Sequence, residues 1–203
     1  MQLKDEGSVL AVRQILQRFQ DGYDARQVAN LDSFMDLFTE DAGLEVIGTA
    51  AKKPGDDEWC RSRDCVRNLI GNDWQYWGDL RLDVGGANVQ ARGEVAWLAT
   101  QGTVTMRLEP KQEMQEYLDY VRKKLSEAGE EDPEADLLEV LRGSAHTLFE
   151  VRKGETYVWP LRFTAVLARE GADWRFHQMQ FSFPTTNFPD VRLTSGAESS
   201  RGQ

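Results

Sequence analysis

Near residue 79 the hydrophobic period of the chain changes, and that change limits the folds open to it. Before it, Val9, Val12, Leu16, Phe19 and Tyr23 recur at three- and four-residue steps, with Leu10 and Ile15 widening the stripe. Such spacing gathers side chains on one face of a helix. After it, Leu80, Leu82 and Val84 alternate with Arg81 and Asp83, and Val89 and Ala91 with Gln90 and Arg92. Alternation by two is the signature of a half-buried strand. Helices first and strands afterwards predict an α+β fold. The sheet is expected to be curved and antiparallel, wrapped as a cone around three N-terminal helices.

Leu31, Phe34, Met35 and Phe38 place a second, shorter helix after Asn30, whose side chain is the expected N-cap. Leu44 to Ile47 reads as a short strand. Ser62 is the expected cap of a third helix with the stripe Val66, Leu69, Ile70, Trp74 and Trp77. A tight turn at Gly93-Glu94 leads into a long strand over 95–108, and a turn at 170–173 joins two more, 157–169 and 174–184. Between these strands, residues 109–155 hold 13 acidic and 7 basic residues, over half of the net charge of −10. Met114, Leu118, Val121 and Leu125 keep helical spacing there, as do Leu137, Leu138, Leu141 and Ala145, so the segment reads as an inserted pair of helices. The expected organisation is one domain over 1–190 with this insertion, and a tail at 191–203 with little to bury.

With 24 basic against 34 acidic residues and no basic run, the chain lacks the concentrated positive charge that phosphate backbones require, so no nucleic-acid partner is expected. No apolar run approaches the ~20 residues of a membrane span. The first residues lack an apolar leader, which makes a cytoplasmic location the expectation. Cys60 and Cys65 are spaced unlike a C-x-x-C motif, and two free thiols are the expected state, with a local disulfide as the alternative. No metal-ligand spacing, phosphate loop, dinucleotide turn or nucleophile elbow occurs, so no metal and no cofactor are expected.

The segments LDSFMDLFTEDAGLEVIG, RDCVRNLI, VAWLATQGTV and LRFTAVLAREGADWRFHQMQFSFPT occur in an order and at spacings that resemble the nuclear transport factor 2-like superfamily, and within it the SnoaL-like domains. The resemblance spans everything but the insertion and the tail. It implies a cone whose open end admits a small molecule, and a homodimer through the outer face of the sheet. Family members include ketosteroid isomerase, polyketide cyclases, dehydratases, association domains and non-enzymatic binders, so the fold does not decide the function.

Ketosteroid isomerase-type chemistry needs a carboxylate in the first strand. The aligned position holds Val46, and Glu45 beside it points to the other face of the strand. Glu45, Tyr23 and Asp24 are therefore weak catalytic candidates. Gln180 stands where related sequences resemble Q-x-H-x-S, and a glutamine binds a ligand without moving a proton. His177 shares a strand face with Arg175 and Met179 by alternation. Arg162 and Thr164 share one face of the penultimate strand, and Gln178, Gln180 and Ser182 one face of the last, which together would make a polar wall inside the cone. A buried arginine there needs an anionic ligand or an acidic partner, with Glu45 or Asp24 as the partner. Trp59, Trp74, Trp77 and Trp97 complete the expected ligand pocket, since rings in a concavity suit flat organic molecules.

Three functions fit. The first is binding of a small hydrophobic or anionic organic molecule. The second is an isomerase, cyclase or dehydratase acting on a carbonyl-bearing substrate. The third is an association module in which the sheet dimerises and the inserted helices recruit a partner. An ionisable group on the pocket wall with a shifted pKa favours the enzyme. An apolar stripe left exposed on the inserted helices favours association.

Overall fold

Three helical segments and a curved sheet answer the change of period. The computed structural model describes residues 6–51, 53–55, 58–107, 109–127 and 133–184. These fall into two compact units, one built from the chain up to Met106 and from Val158 to Pro184, the other from Arg107 to Tyr157. The expected tail lies outside the described residues.

In the first unit, α1 (Glu6–Ala25) buries Val12, Ile15, Leu16, Phe19 and Tyr23, the stripe read from the sequence. Leu10 departs from it and is 59% exposed. It stands two residues before Val12, about 200° around the helix, and so faces away from the core. Gly22 gives α1 its closest approach to the next segment: a Cβ there would lie 2.2 Å from the Phe34 ring. α2 (Leu31–Phe34) is a single turn of α-helix with a 3-10 turn on each side, Val28–Asn30 and Met35–Leu37. Asn30 does not cap it. Because the first 3-10 turn runs straight into α2, the Leu31 amide already bonds the Val28 carbonyl, and the Asn30 side chain donates to Gln27 Oε1 at 2.8 Å instead. Ser62 does cap α3 (Arg63–Tyr76), accepting from the Cys65 amide.

The sheet contains β1 (Glu45–Ile47), β2 (Trp59–Cys60), β3 (Asp79–Leu82), β4 (Asn88–Arg92), β5 (Val95–Arg107), β6 (Thr156–Glu170) and β7 (Asp173–Ser182). Their order is β2-β1-β7-β6-β5-β3, with β4 also on β5. One pair departs from the expected antiparallel arrangement: β1 runs parallel to β7, with Glu45 opposite Gln178 and Val46 opposite Met179. Parallel neighbours need a long connection, and residues 48–172 lie between these two.

One face of the sheet meets the helices. Leu161, Phe163, Ala165 and Leu167 of β6 and Trp174, Phe176, Met179 and Phe181 of β7 are buried there, and Phe19 stacks on Phe163 with centroids 5.7 Å apart. The buried positions of β7 switch from even to odd numbers. Val166 pairs with Gln178 but Leu167 with Phe176, so His177 is an extra residue in β7, a β-bulge. Simple alternation puts His177 and Met179 on one face. The bulge separates them, leaving His177 half-buried and Met179 in the core.

The second unit is the inserted pair, α4 (Pro110–Glu127) and α5 (Pro133–Lys153). Tyr117 fixes the two side by side: its hydroxyl donates to the Val140 carbonyl at 2.7 Å. Leu118, Leu125, Leu137, Leu141 and Leu148 remain exposed. No helix among the described residues is long and apolar enough to cross a membrane.

Candidate functional site

α3 turns two adjacent rows of side chains, each stepping by four residues, toward one cavity: Cys65, Leu69, Asp73 and Trp77, and beside them Asn68, Asn72 and Tyr76. Glu58 and Cys60 form the facing wall, and the cavity, open to solvent, has a volume of about 380 Å³. Cys60 and Cys65 are joined by a disulfide, which corrects the expectation of free thiols. The bond ties β2 to the first turn of α3 and so fixes one side of the cavity to the other.

Asp73 is the chemically distinctive residue of the wall. Its Oδ2 accepts a hydrogen bond from the Tyr23 hydroxyl at 2.7 Å. Burial raises its pKa from the ordinary 3.8 to about 7; the Tyr23 bond opposes this, the Glu58 charge adds to it, and Arg26 opposes it. Burial also holds the Tyr23 hydroxyl well above the ordinary tyrosine range, and the charge of Asp73 adds to that shift. Tyr23 is itself fixed by packing, edge-on to Trp74 and tilted against Phe19. The Trp74 Nε1 is buried without a hydrogen-bond partner. Arg26 ties the end of α1 to the end of α3, donating to the carbonyls of Tyr23, Trp77 and Gly78. The wall thus holds an oriented carboxyl that exchanges its proton near neutrality, the property required of a general acid–base group.

Of the residues singled out in the sequence, Trp77 lines this cavity, and Tyr23 reaches it from the core only through its bond to Asp73. Trp74 lies behind it in the core. Asp24 is a surface partner of Arg81, at 2.5 Å, and not of Arg162. Trp97 is 46% exposed on β5. The polar wall forms, but on the other face of the sheet. Arg162 stands opposite Ser182 and Thr164 opposite Gln180, on the face turned away from Leu161, Phe163, Met179 and Phe181. Arg162 donates to the Phe183 carbonyl at 3.0 Å. Glu45 lies in the same strip, where its carboxylate accepts from Trp59 Nε1 at 2.8 Å, Gln178 Nε2 at 2.9 Å and Arg61 Nε at 3.3 Å. Trp59 therefore serves Glu45. Val46 is in the core, on the face opposite Glu45, as alternation requires. Among the described residues no cluster of three or more His, Cys, Asp or Glu is arranged to hold a metal ion.

Asp73 was not singled out in the sequence, although a signal for it exists. It stands four residues after Leu69 and three after Ile70, on the apolar stripe of α3 itself. A carboxylate on a core stripe needs a partner, and Tyr23 supplies it.

An open curved sheet with N-terminal helices on one face is the fold that this chain shares with nuclear transport factor 2-like proteins. The sequence profile of the SnoaL-like domain matches residues 12–122, more than half of the chain, and the protein belongs to that family. The match runs past the start of α4, so the family pattern reaches into the segment read as an insertion. Among solved structures, an NTF2-like protein of unknown function from Pseudomonas putida KT2440 superposes with a TM-score of 0.54 at 11% identity, over 93% of this chain and 99% of the other. A candidate dehydratase of the NTF2-like family from Streptomyces avermitilis gives 0.54 at 9% identity, over 89% and 99%. A candidate calcium/calmodulin dependent protein kinase II association domain from Xanthomonas campestris gives 0.52 at 11%, over 87% of each chain. At such identities the likeness is one of fold. No curated protein sequence matches the chain.

Proposed function

We propose that the protein is a proton-transfer enzyme of the isomerase, cyclase or dehydratase kind, acting on a carbonyl-bearing small molecule in the Asp73 cavity. The supporting observation is Asp73 on the cavity wall, bonded from the core side by Tyr23, with a pKa raised to about 7. This is the feature that separates an enzyme from a simple binder. In its ionised form Asp73 takes a proton from the carbon next to the carbonyl. The C–H bond breaks, its electron pair moves to the carbonyl oxygen as an enolate, and the proton rests on Asp73 until it returns to the same carbon, to another carbon or to a departing oxygen. Tyr23 orients the carboxyl throughout, and the Asn68 and Asn72 amides are the donors at hand for the enolate oxygen. The arginine clamp expected from the sequence plays no part, because Arg162 lies on the other face of the sheet.

Deuterium uptake next to the carbonyl of cyclohexanone and 2-indanone, followed by NMR in heavy water, tests the reading. The expected result is catalysed exchange that rises with pH through about 7 and falls roughly 10²- to 10⁴-fold in Asp73→Asn, the range for loss of a general base. Exchange unaffected by Asp73→Asn, or absent with ketones that bind, refutes it and leaves the binding function.

Association is the second reading. The exposed Leu137, Leu141 and Leu148 on α5, at helical spacing, support recruitment of a partner helix, and exposed Val95 and Trp97 on β5 support a homodimer through the sheet. Sedimentation at micromolar concentration is expected to show a dimer; a monomer refutes that part.

A further inference from the structure

We propose that the Asp73 cavity takes an organic cation: a carbonyl compound carrying an ammonium or similar charged nitrogen beside an apolar body. The inference rests on the cavity being the functional site and adds the charge class of its occupant.

The charges of the wall are all of one sign. Among the described residues, Glu58 and Asp73 line the cavity from opposite sides, and no Lys, Arg or His joins them. An anionic molecule would bring a third negative charge into a partly desolvated space, where like charges repel strongly. The whole chain adds to this bias, with a net charge of −10. Arg26 is near enough to influence Asp73, but its guanidinium is committed to three backbone carbonyls and to Asp79, and it does not line the cavity.

The aromatic groups point the same way. Tyr76 ends one row of α3 and is 79% exposed, while Trp77 ends the other and is held edge-on by Phe181. A tyrosine left this open gains little from folding. Placed with an indole beside two carboxyl groups, it offers a ring face to a cation, and an attractive contact of this kind strengthens as water is excluded. Asn68 and Asn72, one turn apart and exposed, supply neutral polar contacts for the rest of the molecule.

Proton linkage follows from the same geometry. The charged and titratable groups facing Asp73 are Tyr23 of α1, Arg26 just after that helix, and Glu58 of the facing wall. A cation between Glu58 and Asp73 favours the ionised form of Asp73, so the ligand itself turns the carboxyl into the base that the proposed chemistry requires. Binding should therefore release a proton below neutral pH and tighten as pH rises.

Titration calorimetry of the intact protein with benzyltrimethylammonium, benzyl alcohol and benzoate tests this. At pH 8 the cation is expected to bind at least about tenfold more tightly than the alcohol, the scale of one cation–π contact or ion pair, and benzoate not at all. Affinity for the cation should fall between pH 8 and pH 5.5, about one unit above and one and a half units below the Asp73 titration. Glu58→Gln keeps the oxygen that accepts from the Ala50 amide, so it retains that contact while removing the charge, and should weaken the cation by about tenfold without weakening the alcohol. Equal binding of cation and alcohol, tighter binding of benzoate, or binding of none of the three overturns the inference. The acid–base reading is judged separately by the exchange experiment, which uses uncharged ketones.

Discussion

Asp73 and Glu45 are both hydrogen-bonded carboxyl groups, and their proton affinities move in opposite directions. Glu45, on the open face of the sheet, accepts from Trp59, Gln178 and Arg61, and the Trp59 bond leads in holding its pKa below the ordinary value. Asp73 has one donor, Tyr23, and its burial outweighs that bond. A carboxylate with several donors in reach of water is an anchor. One with a single donor and little water is a reagent. The sequence reading placed the functional site nearer the first, on the side where charged and amide groups gather.

The largest expected contrast is in the pH dependence of stability. Asp73 has a folded pKa of about 7 against 3.8 ordinarily, so the folded state keeps a proton that the unfolded chain has already released. Its contribution is complete at pH values below the ordinary carboxylate range and is lost as pH rises through about 7. At about 1.36 kcal/mol per unit, the loss is at most about 4 kcal/mol. Asp73→Asn should remove this slope, matching the parent at pH 4 and melting higher than it at pH 8. A parent whose melting temperature is flat from pH 5 to 8, with Asp73→Asn no different, would remove the distinction between the two carboxyls.

Glu45 should behave in the opposite sense and more weakly. Its lowered pKa means that its contribution is present above the ordinary glutamate value and is lost as pH falls through the lower, folded value. With its side chain 21% exposed and Arg61 60% exposed, the ion pair is screened. Glu45→Gln is expected to cost roughly 0.5–1 kcal/mol at pH 7, and less as pH falls below the ordinary glutamate range. A larger cost at pH 7, read by urea denaturation, would make Glu45 more than a surface anchor.

The helices, the strands and their order were legible because each follows a simple period. The stripe of α1 and the core row of β6 need only that period and the rule that apolar faces are buried. What the period does not carry is which neighbours a polar residue meets. Tyr23 and Asp73 are 50 residues apart, and only the packing of α1 on α3 joins them. The strip of Arg162, Thr164, Gln178, Gln180 and Ser182 was grouped correctly within each strand, and the pairing of β6 with β7 brings the two groups together. Their face was misjudged, because alternation separates two faces without saying which meets the helices. The disulfide likewise depends on β2 folding back to the first turn of α3, which spacing alone does not specify.

The extra residue at His177 has a genetic consequence. In-frame loss of that one codon would leave the remaining sequence intact and restore an uninterrupted alternation through β7, with Trp174, Phe176, Met179 and Phe181 all still on the buried face. Flattening the bulge while keeping His177 would instead turn Met179 and Phe181 to the solvent face and drive Gln178, Gln180 and Ser182 toward Phe19 and Phe163. A register slip of one exchanges the two faces of a strand. For this strand the loss of His177 is therefore compatible with the parity of its faces, and it is the bulge that lets two residues stand between Phe176 and Met179 while both remain buried.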